Sequence, residues 1–145
     1  MASWDEIKAI LKLGYTCAES ADGAVLSFPF GFQDGREHTV MAVGNDQWVE
    51  VGAVVGNVDA IDAKQLLATS GVDIRPAGLR QEGDVYILVV TLPAAGVVVP
   101  NFDPASPGFN PDPDGSFGDL LYCIDSIARK ADELEAALTA KDEWK

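Results

Sequence analysis

The most regular pattern in this chain is a helical repeat of apolar residues in its last third, and it constrains the fold more than any other feature. Apolar side chains recur there at a spacing near 3.6 residues for about six turns. The repeat comprises Phe117, Leu120, Leu121, Ile124, Ile127, Ala128, Ala131, Leu134 and Leu138. It predicts a long helix over 117–138 that packs one face on a sheet. Asp132, Glu133 and Glu135 are expected largely on its solvent side.

The first half of the chain predicts one short helix followed by an antiparallel meander. Ser3 and Glu6 have the spacing of a capping box, which favours a helix over about 4–13. Strands are expected at 15–19, 25–32, 38–43 and 48–55, and Asp34-Gly35 marks a hairpin turn between the second and the third.

The second half predicts another helix, a hairpin and the long helix. Asp59 or Asp62 can cap a helix that ends near Thr69, and strands follow at 74–80 and 85–92. Residues 85–90 are nearly all apolar, so their strand is expected to be central and covered on both faces. The order α-β-β-β(-β)-α-β-β-α predicts an α+β fold, with an antiparallel sheet of five to six strands and helices packed on one face.

Composition narrows the function more than any motif does. The chain of 145 residues is expected to be a single domain, residues 1–145, and it carries 23 acids, 10 bases and a net charge of −13. We therefore expect neither nucleic acid nor an anionic membrane as a partner. A basic protein or peptide fits this charge better, although many cytoplasmic proteins are simply acidic. The chain has no apolar run long enough for a membrane span, and its first residues lack the basic start of a signal peptide, so we expect a cytoplasmic protein. Cys17 and Cys123 are expected to be reduced, buried and unreactive.

Three stretches carry a resemblance to a known family. "SWDEIKAILKLGYTCAESADGAVLSFPF" resembles a first helix that leads through a strand and an acidic-glycine turn to an aromatic strand. "AGLRQEGDVYILVVTLP" is similar to the hairpin after the second helix, and "GDLLYCIDSIARKADELEAAL" to the last helix. Together they resemble the type III secretion chaperone-like fold, and in particular the YbjN family of small bacterial cytoplasmic proteins. The resemblance covers nearly the whole chain, departs from the family in the long segment 93–117, and depends on pattern without a catalytic motif.

The resemblance implies a protein that binds a segment of another protein or peptide, and secretion chaperones of this fold often pair as homodimers. It implies neither an active site nor a cofactor. The second helix, with Ile61 and Leu66, is the candidate surface for a partner or a second copy. Phe102 and Phe109, in a proline-rich loop at 94–116, are further partner-binding candidates, although we expect them to dock on the domain.

The same loop contains the only pattern that suggests a metal. Asn110, Asp112 and Asp114 alternate before Gly115, as in the first half of a calcium-binding EF-hand loop. Counted from Asn110, the twelfth position is Leu121, where the loop requires a bidentate glutamate. We therefore predict turns, and neither a metal nor a cofactor.

Three function hypotheses follow. A non-enzymatic, chaperone-like protein-binding module is the leading one. An immunity or antitoxin-type protein would use the acidic charge to neutralise a basic toxin. A small hydrolase would use His38, the single histidine, together with an acid, although a lone strand histidine is more often a half-exposed sheet residue.

Overall fold

The computed structural model describes residues 3–70, 77–97, 116–139 and 144. The helices are α1 (Trp4–Gly14), α2 (Ala63–Ser70) and α3 (Ser116–Thr139), with a short 3-10 helix at Ala94–Gly96. The strands are β1 (Ala18–Glu19), β2 (Val25–Gly31), β3 (Glu37–Gly44), β4 (Trp48–Asn57), β5 (Gly78–Glu82) and β6 (Val85–Pro93). The predicted α+β class and element order are confirmed.

All neighbouring strands of the sheet are antiparallel. The six strands lie in the order β1-β2-β3-β4-β6-β5, so β6 lies inside the sheet as its apolar sequence predicted. The predicted cover on both of its faces is wrong, because the described helices lie on one face and most residues of β6 are only half-buried. The turns between strands use glycine where the backbone requires a positive φ, as at Gly35 (φ 85°) before β3 and Gly83 (φ 60°) between β5 and β6.

The three helices pack on one face of the sheet, where the core lies. Alternate strand residues such as Phe28, Val40 and Val51 are fully buried there, in one cluster with side chains of α1, α2 and α3. Alternation along β4 is strict from Trp48 to Val54, so the intervening residues lie on the opposite face. We call that opposite face the helix-free face.

The first helix confirms the capping box. The Ser3 hydroxyl accepts a hydrogen bond from the Glu6 backbone, and the Glu6 carboxylate accepts one from the Ser3 backbone. The ring of Trp4 packs on the sheet where Gly44 ends β3, since a Cβ atom there would overlap the ring. The indole nitrogen donates to the carbonyl of Gly23, 3.0 Å away.

The second helix buries Leu66 in the core, whereas Leu67 beside it is 63% exposed. Asp62 caps the helix, because its carboxylate accepts a hydrogen bond from the backbone of Lys64 at 2.8 Å. Ile61 and Leu66 are 5% and 2% exposed and belong to the main core cluster. Their proposed contact with a partner is therefore corrected, since buried side chains present almost no area to another molecule.

Several boundaries differ from the prediction. The first strand is only two residues long, and β5 begins at Gly78; residues 71–76 lie outside the described part. The predicted loop 94–116 begins with the 3-10 helix, where Ala94 and Val97 are buried and the Ala94 backbone donates to the carbonyl of Gln47 at 2.8 Å. Residues 98–115 lie outside the described residues, and with them the proline-rich loop, its aspartate run, Phe102 and Phe109.

Among the described helices, none combines the length and the hydropathy that crossing a membrane requires.

Candidate functional site

Beneath α3 lies a buried cluster of four polar residues, which we call the polar cluster: Arg36, His38, Asp132 and Glu135. Arg36 lies immediately before β3, and its Nε donates to both carboxylate oxygens of Asp132, at 3.0 and 3.2 Å. A terminal nitrogen of the same guanidinium lies 3.4 Å from Glu135 Oε1. Because Asp132 and Glu135 are 7% and 1% exposed, Arg36 neutralises charges that water hardly reaches.

His38 lies at the inner end of this cluster and is fully buried. Its Nε2 lies 2.7 Å from the carbonyl oxygen of Val54, and since a carbonyl only accepts, Nε2 must carry the proton. Its Nδ1 lies 3.8 Å from Asp132 Oδ1 and 4.0 Å from Glu135 Oε2.

This geometry arises because β3 and β4 separate. The two strands pair from Met41–Gly52 to Gly44–Val49, and the ladder stops there. Beyond it, the carbonyl of Val54 meets the ring of His38, and the backbone N–H of Thr39 donates to the carbonyl of Trp144 at 2.7 Å. The His38 ring and the Trp144 carbonyl therefore satisfy backbone groups of Val54 and Thr39 that β3 and β4 do not satisfy for each other.

Two expectations from the sequence are wrong at this point. His38 is buried instead of half-exposed, and of the three acids assigned to the solvent side of α3 only Glu133 is exposed. A signal was present in the spacing, because Asp132 and Glu135 each lie four residues after an alanine of the apolar repeat. We expected Asp132 and Glu135 to be exposed because they are charged. The sequence does not indicate their partner Arg36, which lies 96 residues from Asp132.

The polar cluster does not have the features of a hydrolase site. A general base must come within hydrogen-bonding distance of a substrate proton, and His38 has no exposed surface. Cys123 is buried as predicted, whereas Cys17 is only partly buried. Neither cysteine is an activated nucleophile, since desolvation raises the pKa of both thiols. The geometry does not favour a hydrolase that uses His38.

A cleft of 520 Å³ lies beside the polar cluster, between the β2–β3 turn and α3. Phe30 and Phe32 form its apolar part, while Asp125, Asp132 and Arg129 contribute its charges. Over the described residues, no group of three histidine, cysteine, aspartate or glutamate side chains is arranged to hold a metal ion. The cleft is an acidic surface feature over the ion pairs that attach α3.

The helix-free face presents a different surface. Met41, Val43 and Trp48 are 37%, 43% and 51% exposed on the adjacent strands β3 and β4. Gly52 is directly opposite Met41 and adds no side chain to cover it. Val43 and Trp48 line a shallow pocket of 560 Å³, and Met41 is the next residue on the same face of β3. We call these three side chains the apolar group.

One arginine divides this face into a covered and an open part. Arg80 on β5 reaches Glu50 on β4, with a terminal nitrogen 2.5 Å from Oε1, so its side chain must cross β6. Ile87, opposite Arg80 on β6, is only 8% exposed although no described helix covers it. The carboxylate of Glu50 also raises the pKa of Arg80. The apolar group lies beyond this cover and stays open to solvent.

Sequence reasoning did not identify the apolar group. Nothing in the alternation of β3 distinguishes the face that the helices cover from the other. Comparison with protein-family models and with curated proteins finds no match for this chain. The resemblance to the YbjN family therefore stays a prediction that depends on the sequence pattern.

Proposed function

We propose that this protein is a non-enzymatic binding module that holds a segment of another protein on the helix-free face. The observation that carries the proposal is the apolar group, in which three large apolar side chains are exposed together on neighbouring strands. Exposed apolar residues are ordinary when scattered, but a contiguous patch in a sheet indicates a contact surface.

The composition of the patch supports a protein partner. Tryptophan is enriched among residues that dominate protein–protein binding energy, because it buries a large area with few rotatable bonds. Methionine adapts its shape to different partners. Trp48 is also held in place: its backbone N–H donates to the Asn45 side chain at 2.9 Å, and the Asn45 backbone N–H donates to the Trp48 carbonyl at 3.0 Å.

The acidic charge supports the same kind of partner. A net charge of −13 attracts basic proteins and peptides and raises the rate at which they are encountered. An immunity or antitoxin-type role would use the same attraction, and it differs from the first proposal only in the identity of the partner. No contact of the described residues favours it over the chaperone-like role.

The test is affinity capture from the source cell with the wild-type chain and two variants. Trp48→Ala removes the largest side chain of the apolar group. Leu13→Ala is the matched control, because Leu13 on α1 is also 51% exposed but lies away from the helix-free face. The proposal expects a protein that the wild type and Leu13→Ala retain and that Trp48→Ala loses.

The affinity of that protein, measured afterwards with purified components, should fall by about 2 kcal/mol or more in Trp48→Ala, as for a central interface tryptophan. Equal retention by all three chains would contradict the proposal. Thermal unfolding of both variants must show that the fold is intact, which the exposure of both side chains predicts.

A further inference from the structure

We infer that the segment held on the helix-free face carries a basic side chain beside its apolar anchor, and that Glu82 and Glu50 bind this basic side chain. The inference deepens the proposed function and depends on it. It concerns the chemistry of the partner, which neither the apolar group nor the net charge specifies alone.

The pocket beside Trp48 has two chemically different walls. Val43 and Trp48 form the apolar wall, whereas Glu50 and Glu82 contribute carboxylates to the other. Thr91, directly opposite Glu50 in the sheet, also lines the pocket. A side chain that enters the pocket from the apolar wall therefore reaches two carboxylates in the same cavity.

These two carboxylates share a single cation within the described part of the chain. Arg80 lies 2.5 Å from Glu50 but 3.5 Å from Glu82, so its ion pair with Glu82 is the longer and weaker of the two. The Glu82 side chain is 66% exposed. A carboxylate has about four lone-pair sites, so Glu82 keeps the capacity to accept a second cationic donor. The set of Glu50, Glu82 and Arg80 has a net charge of −1.

Charge also decides between a basic segment and a second copy of this chain. Each copy carries a net charge of −13, and two copies joined through this face would place the Glu50 and Glu82 carboxylates of both close together. Like charges brought together across an interface oppose association. A lysine or arginine flanked by apolar residues complements both walls of the pocket.

The experiment uses three synthetic seven-residue peptides as probes. Each has aliphatic residues on both sides of a central position that is lysine, glutamine or glutamate. Peptides are titrated into the full chain, and the indole N–H signal of Trp48 is followed by NMR, with Trp48→Phe assigning that signal among the tryptophans at positions 4, 48 and 144. The lysine peptide should bind about 3-fold more tightly than the glutamine peptide, as for an exposed ion pair, and the glutamate peptide should bind most weakly.

Two double variants that remove the same charge distinguish binding by Glu50 and Glu82 from attraction by the net charge of the protein. Glu50→Gln with Glu82→Gln should abolish the preference for lysine, while Asp119→Asn with Glu133→Gln removes two exposed carboxylates of α3 and should leave it unchanged. An equal loss in both would show that only the net charge attracts the peptide, and would overturn the inference.

The remaining outcomes distinguish the inference from the proposed function. Equal affinity for all three peptides, with the Trp48 signal still shifting, would overturn the inference and leave the proposed function standing. A Trp48 signal that shifts with protein concentration alone would identify a second copy on this face, which also overturns the inference. If no peptide moves the signal, both proposals fail for segments of this kind.

Discussion

Replacing Arg36 by methionine tests whether the polar cluster holds α3 on the sheet. The substitution keeps most of the apolar stem and removes the charge that faces Asp132 and Glu135. The side chains of these acids are 10% and 1% exposed, so neither regains full contact with water. Removing one partner of a buried ion pair costs about 3 to 5 kcal/mol. Because Arg36 is itself 20% exposed, we expect the lower end, about 3 kcal/mol.

Urea unfolding measures this cost. With an m value of about 2 to 3 kcal/mol/M, the midpoint should fall by about 1 to 1.5 M while m itself stays constant. Arg129→Met is the matched control, since Arg129 pairs with Asp125 on the surface of the same helix, with side chains 65% and 50% exposed. That pair should contribute less than about 0.5 kcal/mol.

A double-mutant cycle then tests the mechanism. If Arg36 acts by neutralising Glu135, Glu135→Gln must be less costly in the Arg36→Met background than in the wild type, by about 1 kcal/mol or more. The reasoning is refuted if Arg36→Met behaves like its surface control, or if the two substitutions are additive. Either result would mean that water or other groups screen the two carboxylates.

Two further predictions concern stability. A hydrogen bond from Lys12 holds the pKa of Glu19 below its ordinary value of 4.5, so Glu19 stabilises the fold above that pH and ceases to do so as the pH falls through its folded pKa. Urea unfolding should therefore show that Glu19→Gln is less stable than the wild type at pH 7, and that this difference disappears in strong acid. A loss of stability that is independent of pH would contradict the prediction. Gly44→Ala should cost about 1 to 3 kcal/mol because its Cβ atom would overlap the ring of Trp4, while Gly31→Ala, whose Cβ atom meets nothing within 4 Å, should be close to neutral in the same assay.

Local chemistry made much of the fold predictable. The capping box fixed the start of α1, the glycine turns fixed the strand ends, and the apolar repeat predicted α3 to within one residue of Ser116–Thr139. These features depend on residues close in sequence. The two-residue strand β1 was overestimated because β-propensity in 15–19 says nothing about where the neighbouring strand stops pairing.

The candidate sites were predictable only in part, because both depend on which strands become neighbours. Arg36 and Asp132 are 96 residues apart, and no local pattern links them. The openness of Trp48 depends on which face of β4 the helices select, and on Arg80, which crosses a strand to reach Glu50. Sequence alternation shows that a strand has two faces, but packing decides which face is covered.

The ion pairs show where the excess negative charge of this chain lies in the fold. Within the described residues, Arg36 contacts both Asp132 and Glu135, and Arg80 contacts both Glu50 and Glu82. Lys8 likewise contacts Asp5 and Glu19, but Lys12 also pairs with Glu19. With 10 bases against 23 acids, most carboxylates cannot have a cation of their own. In the polar cluster two buried carboxylates share the Arg36 guanidinium. On the helix-free face Glu50 and Glu82 share Arg80, and their excess negative charge lies at the surface beside Trp48. A basic segment bound there would neutralise the remaining charge while covering the apolar group, so the same contact would satisfy both features of the face.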